Sequence, residues 1–154
     1  TNSKTQTIGI LATKGTLNSE LFHKATEMFQ DIRIIEQVGH GLVQLIEGGQ
    51  INSIEMKQLL HSYLQPMIEA NIDYLVLGCS HYPYLIPQIK KMLPDHIQII
   101  DSGQAVARQT QKVLQEKVGV SNIKNPEPIF YSNTDTAVLN AILNNKYTAE
   151  QINF

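Results

Sequence analysis

The chain has 154 residues, 42% of them apolar and 17% charged, with a formal net charge of −2 and one cysteine. That length carries one well-buried domain, or one domain and part of another. The near-neutral balance, without a basic run or an acidic tail, argues against nucleic acid or an anionic membrane as the main partner; no apolar run approaches the roughly 18 residues of a membrane span; and a lone cysteine makes no internal disulfide, which fits a reducing cytosol.

Thr1 to Thr7 is polar and unpatterned and reads as a linker. With Thr1 rather than Met in first place, the expectation is a part of a longer protein. Ile8 to Ala12 reads as a buried strand, and Thr13-Lys14-Gly15-Thr16 as a polar loop. From Leu17 the spacing turns helical, with Leu21, Phe22, Ala25, Met28 and Phe29 on one face and Asn18 or Ser19 as the cap. Ile32 to Glu36 is a second strand, Val38-Gly39-His40-Gly41 a flexible turn, and Leu42 to Glu47 a short apolar helix ending at Gly48-Gly49. Ser53 caps a longer helix from Ile54 to Ala70, whose stripe is Leu59, Leu60, Tyr63, Leu64, Met67 and Ile68. Pro66 is expected to kink or split it, and Asn71 falls where a C-cap belongs.

Asp73 to Leu77 is a short, mostly apolar strand broken by Gly78. Cys79-Ser80-His81 follows, and Pro83 opens a helix predicted to run to Leu93. A proline suits the first helical position because the N–H it lacks had no partner there. Ile97 to Ile100 is a further strand, ending in Asp101-Ser102-Gly103. A helix from about Gln104 to Lys117 places Ala105, Val106, Gln109, Val113 and Leu114 inward. Val118 to Glu127 reads as a loop, Pro128 to Ser132 as a final strand, Thr134 to Leu143 as a final helix, and Asn144 to Phe154 as a mixed tail. Strands alternating with helices predict an α/β fold, a mostly parallel sheet with helices on both faces. Ligands of such sheets bind beyond the carboxyl ends of the strands. Four polar turns, at 13–16, 37–40, 79–81 and 101–103, then converge on one edge.

The turn after Gly78 holds the chemistry. A lone cysteine is most often a small buried hydrophobe. Cys79, however, follows a strand and a glycine and precedes a helix start, where partial positive charge favours a thiolate. His81 lies two residues on, so an extended backbone points both side chains the same way. An imidazole there polarises the thiol or bonds a substrate carboxylate; the commoner reading is a surface or packed histidine. Ser80 reads equally well as a helix cap. Glu47 ends a helix, where an acidic side chain is mildly unfavourable, and orienting His81 would account for it. Thr13 and Thr16 read as turn residues, Asp101 and Ser102 as caps, and His23, His61 and His96 as structural. No metal site is expected, because Cys79-x-His81 is not a zinc spacing and the sequence has no second cysteine. Lys14-Gly15-Thr16 lacks the upstream glycine of a phosphate loop.

Leu77-Gly78-Cys79-Ser80-His81-Tyr82-Pro83 resembles the LGCTHYP segment of the glutamate racemases, in the aspartate/glutamate racemase superfamily. Ser80 keeps a hydroxyl where threonine is usual. Ile8 to Thr16 resembles the strand and loop that open that family's second domain. Leu45-Ile46-Glu47-Gly48-Gly49 resembles its LVE-x-G segment, and Ile99 to Ala105 its IDSG-x-A return. Gly39-His40 departs from the family, which often has Cys-Pro there. The family's N-terminal domain, with another catalytic cysteine, an Asp-Ser pair and an Asn-Thr pair, has no counterpart in this sequence. The resemblance therefore implies a linker at 1–7, the second α/β domain of a pseudo-symmetric pair at 8–100, and a segment at 101–154 that packs back on a first domain.

It also implies cofactor-independent racemisation of glutamate by two thiols on opposite faces of the α-carbon, which exchange acid and base roles. Cys79 would be the base for one enantiomer, His81 would assist it, and Glu47 would support His81. Ser80, Thr13 and Thr16, with His81, would hold the substrate carboxylate. The implied partner is glutamate, the implied setting the cytoplasm of a bacterium, and the implied use of D-glutamate is peptidoglycan for the cell wall and cell shape. Family members are often dimers, which leaves a homodimer open. The alternatives are an aspartate racemase or single-cysteine decarboxylase of the same superfamily, and a non-catalytic α/β binding domain with Cys79 buried. One thiol serves one face, so this chain by itself is expected not to racemise.

Overall fold

A computed structural model describes residues 3–119 and 127–154. Most of the loop expected at 118–127 lies outside the described residues, as do Thr1 and Asn2. Four strands form one parallel sheet: β1 (Thr7–Ala12), β2 (Arg33–Val38), β3 (Tyr74–Gly78) and β4 (Gln98–Asp101), in the order β2-β1-β3-β4. Ala12 lies opposite both Val38 and Gly78, and Leu77 opposite Asp101. All four carboxyl ends therefore open on one side, as the expected convergence of the polar turns requires.

A parallel sheet must be covered on both faces, which is why its inner strands read as near-continuous apolar runs. On one face Leu11, Leu75 and Leu77 meet α3 (Leu42–Glu47), α4 (Ile54–Glu69) and the segment from Tyr82 to Leu93. Leu42, Leu60, Leu64, Met67, Tyr82, Leu85 and Ile89 are fully buried there. On the other face Ile10 and Ala12 meet Leu17 and Phe22, from α1 (Lys14–Leu17) and α2 (Glu20–Glu27). Past α2 this face stays open as a groove of about 240 Å³, lined by Ile8, Phe29, Ile34, Tyr74, Val76 and Ile100 among others.

Several elements differ from expectation, each for a physical reason. Thr13 to Thr16 is no loop, because Thr13 caps a helical turn by accepting the Thr16 N–H. Pro66 does not split α4, which runs unbroken through it. It lies on the solvent side, as does Ser62, the residue whose carbonyl it leaves without a partner, so water can serve that group. The helix expected from Pro83 to Leu93 is a 3₁₀ turn over Tyr82–Leu85 followed by α5 (Ile86–Ile89). Pro87 lacks the N–H that an α-helix opened by Pro83 would direct at the Pro83 carbonyl, and the Ile86 N–H takes that carbonyl instead.

Leu21, Ala25, Met28 and Phe29 of the predicted α2 stripe are exposed. So is every residue of α6 (Gly103–Lys117) except Val113. Near the end of the chain, β5 (Phe130–Ser132) and β6 (Ala149–Gln151) pair in parallel around α7 (Ala137–Ile142). The mixed tail thus holds a strand that its polar sequence does not announce. Among the described residues no helix is long and apolar enough to cross a membrane.

Candidate active site

The carboxyl ends of β1 and β3 meet at Ala12 and Gly78, and the close approach needs the glycine. A Cβ at position 78 would lie 2.8 Å from the Ala12 Cβ. Past this contact the chain turns. Tyr82 N–H donates to the Cys79 carbonyl at 3.2 Å, leaving the Cys79 and His81 side chains near one another. Cys79 Sγ is 4.0 Å from His81 Nδ1, the outer limit of a sulfur hydrogen bond, and Ser80 Oγ is 3.4 Å from the same nitrogen. On the far side of the ring, His81 Nε2 is 3.1 Å from Glu47 Oε1. Glu47, the last residue of α3, reaches across from an adjoining element. The sequence-predicted trio Cys79, His81 and Glu47 is thus one connected chain.

The direction of that chain follows from the groups themselves. A carboxylate only accepts, so the hydrogen between ring and acid belongs to Nε2. A neutral imidazole with hydrogen on Nε2 has a bare Nδ1, which accepts. Nδ1 therefore faces the Cys79 S–H and the Ser80 O–H as their acceptor. Cys79 and His81 are part-buried, Ser80 is exposed, and the Glu47 side chain is 48% exposed. A contact that open to solvent is worth little as a strut for the fold. Only a four-residue 3₁₀ turn follows His81, so no long helix opens directly after the thiol, and His81 Nδ1 is the ring nitrogen within reach of Cys79 Sγ.

Thr13 and Thr16 sit beside this turn and are joined to it. The Thr16 hydroxyl donates to the Gly78 carbonyl at 3.1 Å, and Thr13 Oγ1 lies 2.9 Å from Thr16 Oγ1. Because the Thr16 hydrogen is committed to Gly78, the one between the two hydroxyls comes from Thr13. The pair braces the residue before the cysteine, and Thr13 carries the hydroxyl hydrogen that a substrate oxygen could take over. Asp101 behaves as a cap, accepting the Gly103 N–H at 2.8 Å.

Two residues in this neighbourhood escape sequence reasoning. Tyr82 and Tyr63 donate to the carbonyls of Gly39 and His40, at 3.0 and 2.9 Å. In the sequence Tyr63 is one of an apolar stripe and Tyr82 one letter of the Leu77–Pro83 segment, with no role read for either hydroxyl, and the nearest signal is a phenol where phenylalanine would fill the same space. Burial first, then the proximity of the acidic groups of Cys79 and Tyr63, pushes the Tyr82 phenol far above its ordinary ionisation range.

The family model for Asp/Glu/Hydantoin racemases matches residues 1–110. A glutamate racemase of Pseudomonas putida strain W619 is 41% identical over 137 residues, which cover 88% of this chain and 52% of that protein. The chain spans about half the length of the curated relatives it matches. In structure it is similar to a glutamate racemase isoform from Bacillus anthracis, with a TM-score of 0.81 and 26% identity over 99% of this chain and 59% of that one. It is also similar to Escherichia coli glutamate racemase, solved in complex with L-glutamate and an activator, with a TM-score of 0.75, 26% identity and the same two coverages.

Proposed function

The chain belongs to the Asp/Glu/Hydantoin racemase family, and on that premise we propose that it supplies one thiol of a glutamate racemase. The observation that carries the reading is the Cys79–His81–Glu47 chain at the carboxyl edge of the sheet. In the forward step His81 Nδ1 takes the Cys79 proton, and the thiolate then removes the α-proton of glutamate on its own face. The electron pair of the broken C–H bond passes into the adjoining carboxylate as an enolate. A thiol on the opposite face returns a proton to the α-carbon, and its own sulfur is left as thiolate. For the other enantiomer the roles exchange, with Cys79 delivering the proton.

Ser80, exposed beside the imidazole, and Thr13 are the nearest hydroxyls for the substrate carboxylate, with Thr16 holding the turn behind them. The sequence has one cysteine, so the opposite thiol comes from outside it. In this reading residues 8–100 form the thiol-bearing domain, and 101–154 pack on a further domain that carries the second cysteine. The exposed Val106 and Leu114 of α6 support that placement. The setting is the bacterial cytoplasm, and the D-glutamate feeds peptidoglycan.

The test is proton exchange at the α-carbon. Full-length protein in deuterated water should convert L-glutamate to D-glutamate with deuterium entering at Cα, and Cys79→Ala should abolish it. The 154-residue chain alone should make no D-glutamate. Steady production by that chain would sink the need for a second thiol. A Cys79 that iodoacetamide reaches only after denaturation would favour a binding domain instead.

A further inference from the structure

We infer that Tyr82 is a positioning residue for this site, fixing Glu47 against His81 by holding the opposite end of the element that carries Glu47. The inference rests on reading Cys79, His81 and Glu47 as a proton-transfer site. The turn between β2 and α3 hangs from three fixed points. Its Gly39 N–H donates to the Ala12 carbonyl at the end of β1, at 2.9 Å. Its Gly39 carbonyl accepts from the Tyr82 hydroxyl, and its His40 carbonyl from the Tyr63 hydroxyl of α4. α3 starts two residues later and ends at Glu47. At ~1.5 Å per residue its six residues span about 9 Å, too short a helix to flex between its ends.

Neighbouring residues therefore grip both ends of one short element. Tyr82 holds its start at Gly39, and His81 meets its end at Glu47. Tyr82 also ties in the thiol, since its backbone N–H donates to the Cys79 carbonyl. Packing alone does not call for the phenol, because phenylalanine would fill the same fully buried space. A buried hydroxyl is retained where its partner would otherwise go unpaired, and Gly39 O is that partner. The fit is close: a Cβ at position 39 would fall on the Tyr82 hydroxyl oxygen and come within 2.8 Å of Leu42 Cδ1. Glycine is the residue that lets the phenol reach the carbonyl. Because burial keeps the phenol protonated, it remains a donor throughout the range in which the thiol and imidazole work.

The experiment reads the Glu47–His81 bond directly, without glutamate. In full-length protein labelled with ¹⁵N-histidine, solvent exchange of the His81 Nε2–H is measured for wild type, Tyr82→Phe, Glu47→Ala and the double variant. Tyr82→Phe should speed that exchange roughly tenfold, the effect of one lost buried hydrogen bond. In the double variant Tyr82→Phe should add nothing to Glu47→Ala, the signature of a residue that acts through Glu47. The turnover number should fall with the exchange protection while KM stays level. Unchanged exchange in Tyr82→Phe, or effects that multiply in the double variant, would overturn the inference. If circular dichroism shows Tyr82→Phe unfolded, Tyr63→Phe carries the same test on the adjacent carbonyl. There, faster exchange supports the three-point turn and unchanged exchange overturns it. A thiol that proves unreactive would remove the proposed function and leave this coupling measurable.

Discussion

α4 and α6 are nearly the same length, 16 and 15 residues, and both show apolar residues at three-and-four spacing. Met56, Leu60, Leu64 and Met67 of α4 are buried against the sheet, while Val106 and Leu114 of α6 stand 59% and 46% exposed. Their ends differ too. Ser53 caps α4 through its side chain, and the Ser102 side chain makes no cap bond to α6. The difference teaches that a periodic stripe tells which side of a helix seeks cover; it does not tell whether the same chain provides it. After Asp101, Ala149 is the one apolar residue buried among the described residues. The thiol-bearing sheet is thus complete in its own core on one face, and the segment beyond it is not.

Truncating the two stripes should break the symmetry most sharply. Leu60→Ala should cost about 2–5 kcal/mol in urea unfolding, through lost burial and the cavity left behind. Val106→Ala in the 154-residue chain should change stability by less than about 0.5 kcal/mol. A large loss at Val106 would mean that α6 is covered in solution.

The next effect sharpens the contrast at the other end of the chain, where a polar segment is firmly held. Asp73 accepts from the Ser3 hydroxyl and from the Lys4 and Thr5 N–H groups. Burial works to raise its pKa, but these hydrogen bonds outweigh burial and hold it below the ordinary value. A carboxyl lowered on folding stabilises above its unfolded value near ~3.9 and loses that contribution as pH falls through the folded one. Asp73→Asn should therefore cost about 1.5–3 kcal/mol at neutral pH, the worth of hydrogen bonds to a charged group. The gap to wild type should close below the carboxylate range. A gap that persists in acid would show that charge is not what holds Ser3 to Thr5.

The smallest effect is at the helix starts. Ser53→Ala should cost about 1 kcal/mol, and Ser102→Ala close to nothing, in the same unfolding series.

Much of the site was legible because it is local. Gly78, Cys79, Ser80 and His81 are consecutive, and a strand that ends in a glycine fixes which edge they occupy. The convergence of the four turns followed from the alternation of strands and helices, and the parallel register bears it out. The pairing of Glu47 with His81 was legible only as an oddity, an acid at the wrong end of a helix. What stayed hidden depended on partners far along the chain. The Tyr82–Gly39 bond joins residues with no pattern in common, and β6 is a strand because β5 lies beside it. Pro83 and Pro87 were visible all along, but the favourable first-position reading of Pro83 masked the second break at Pro87.

The strand order has a consequence for how the chain is made. Of these four strands β1 leaves the ribosome first, yet it is an inner strand whose partner on one side is β3, so Ile8 waits for Tyr74. Until then β1 has only β2 beside it in the sheet, and such non-local closure is the slow and aggregation-exposed step of parallel sheets. Gly78 and Cys79 emerge at the moment this vacancy is filled. The thiol is therefore set in place by the same event that fills the open edge of β1, and a nascent chain long enough to display Cys79 is the first one able to pair β1 on both sides.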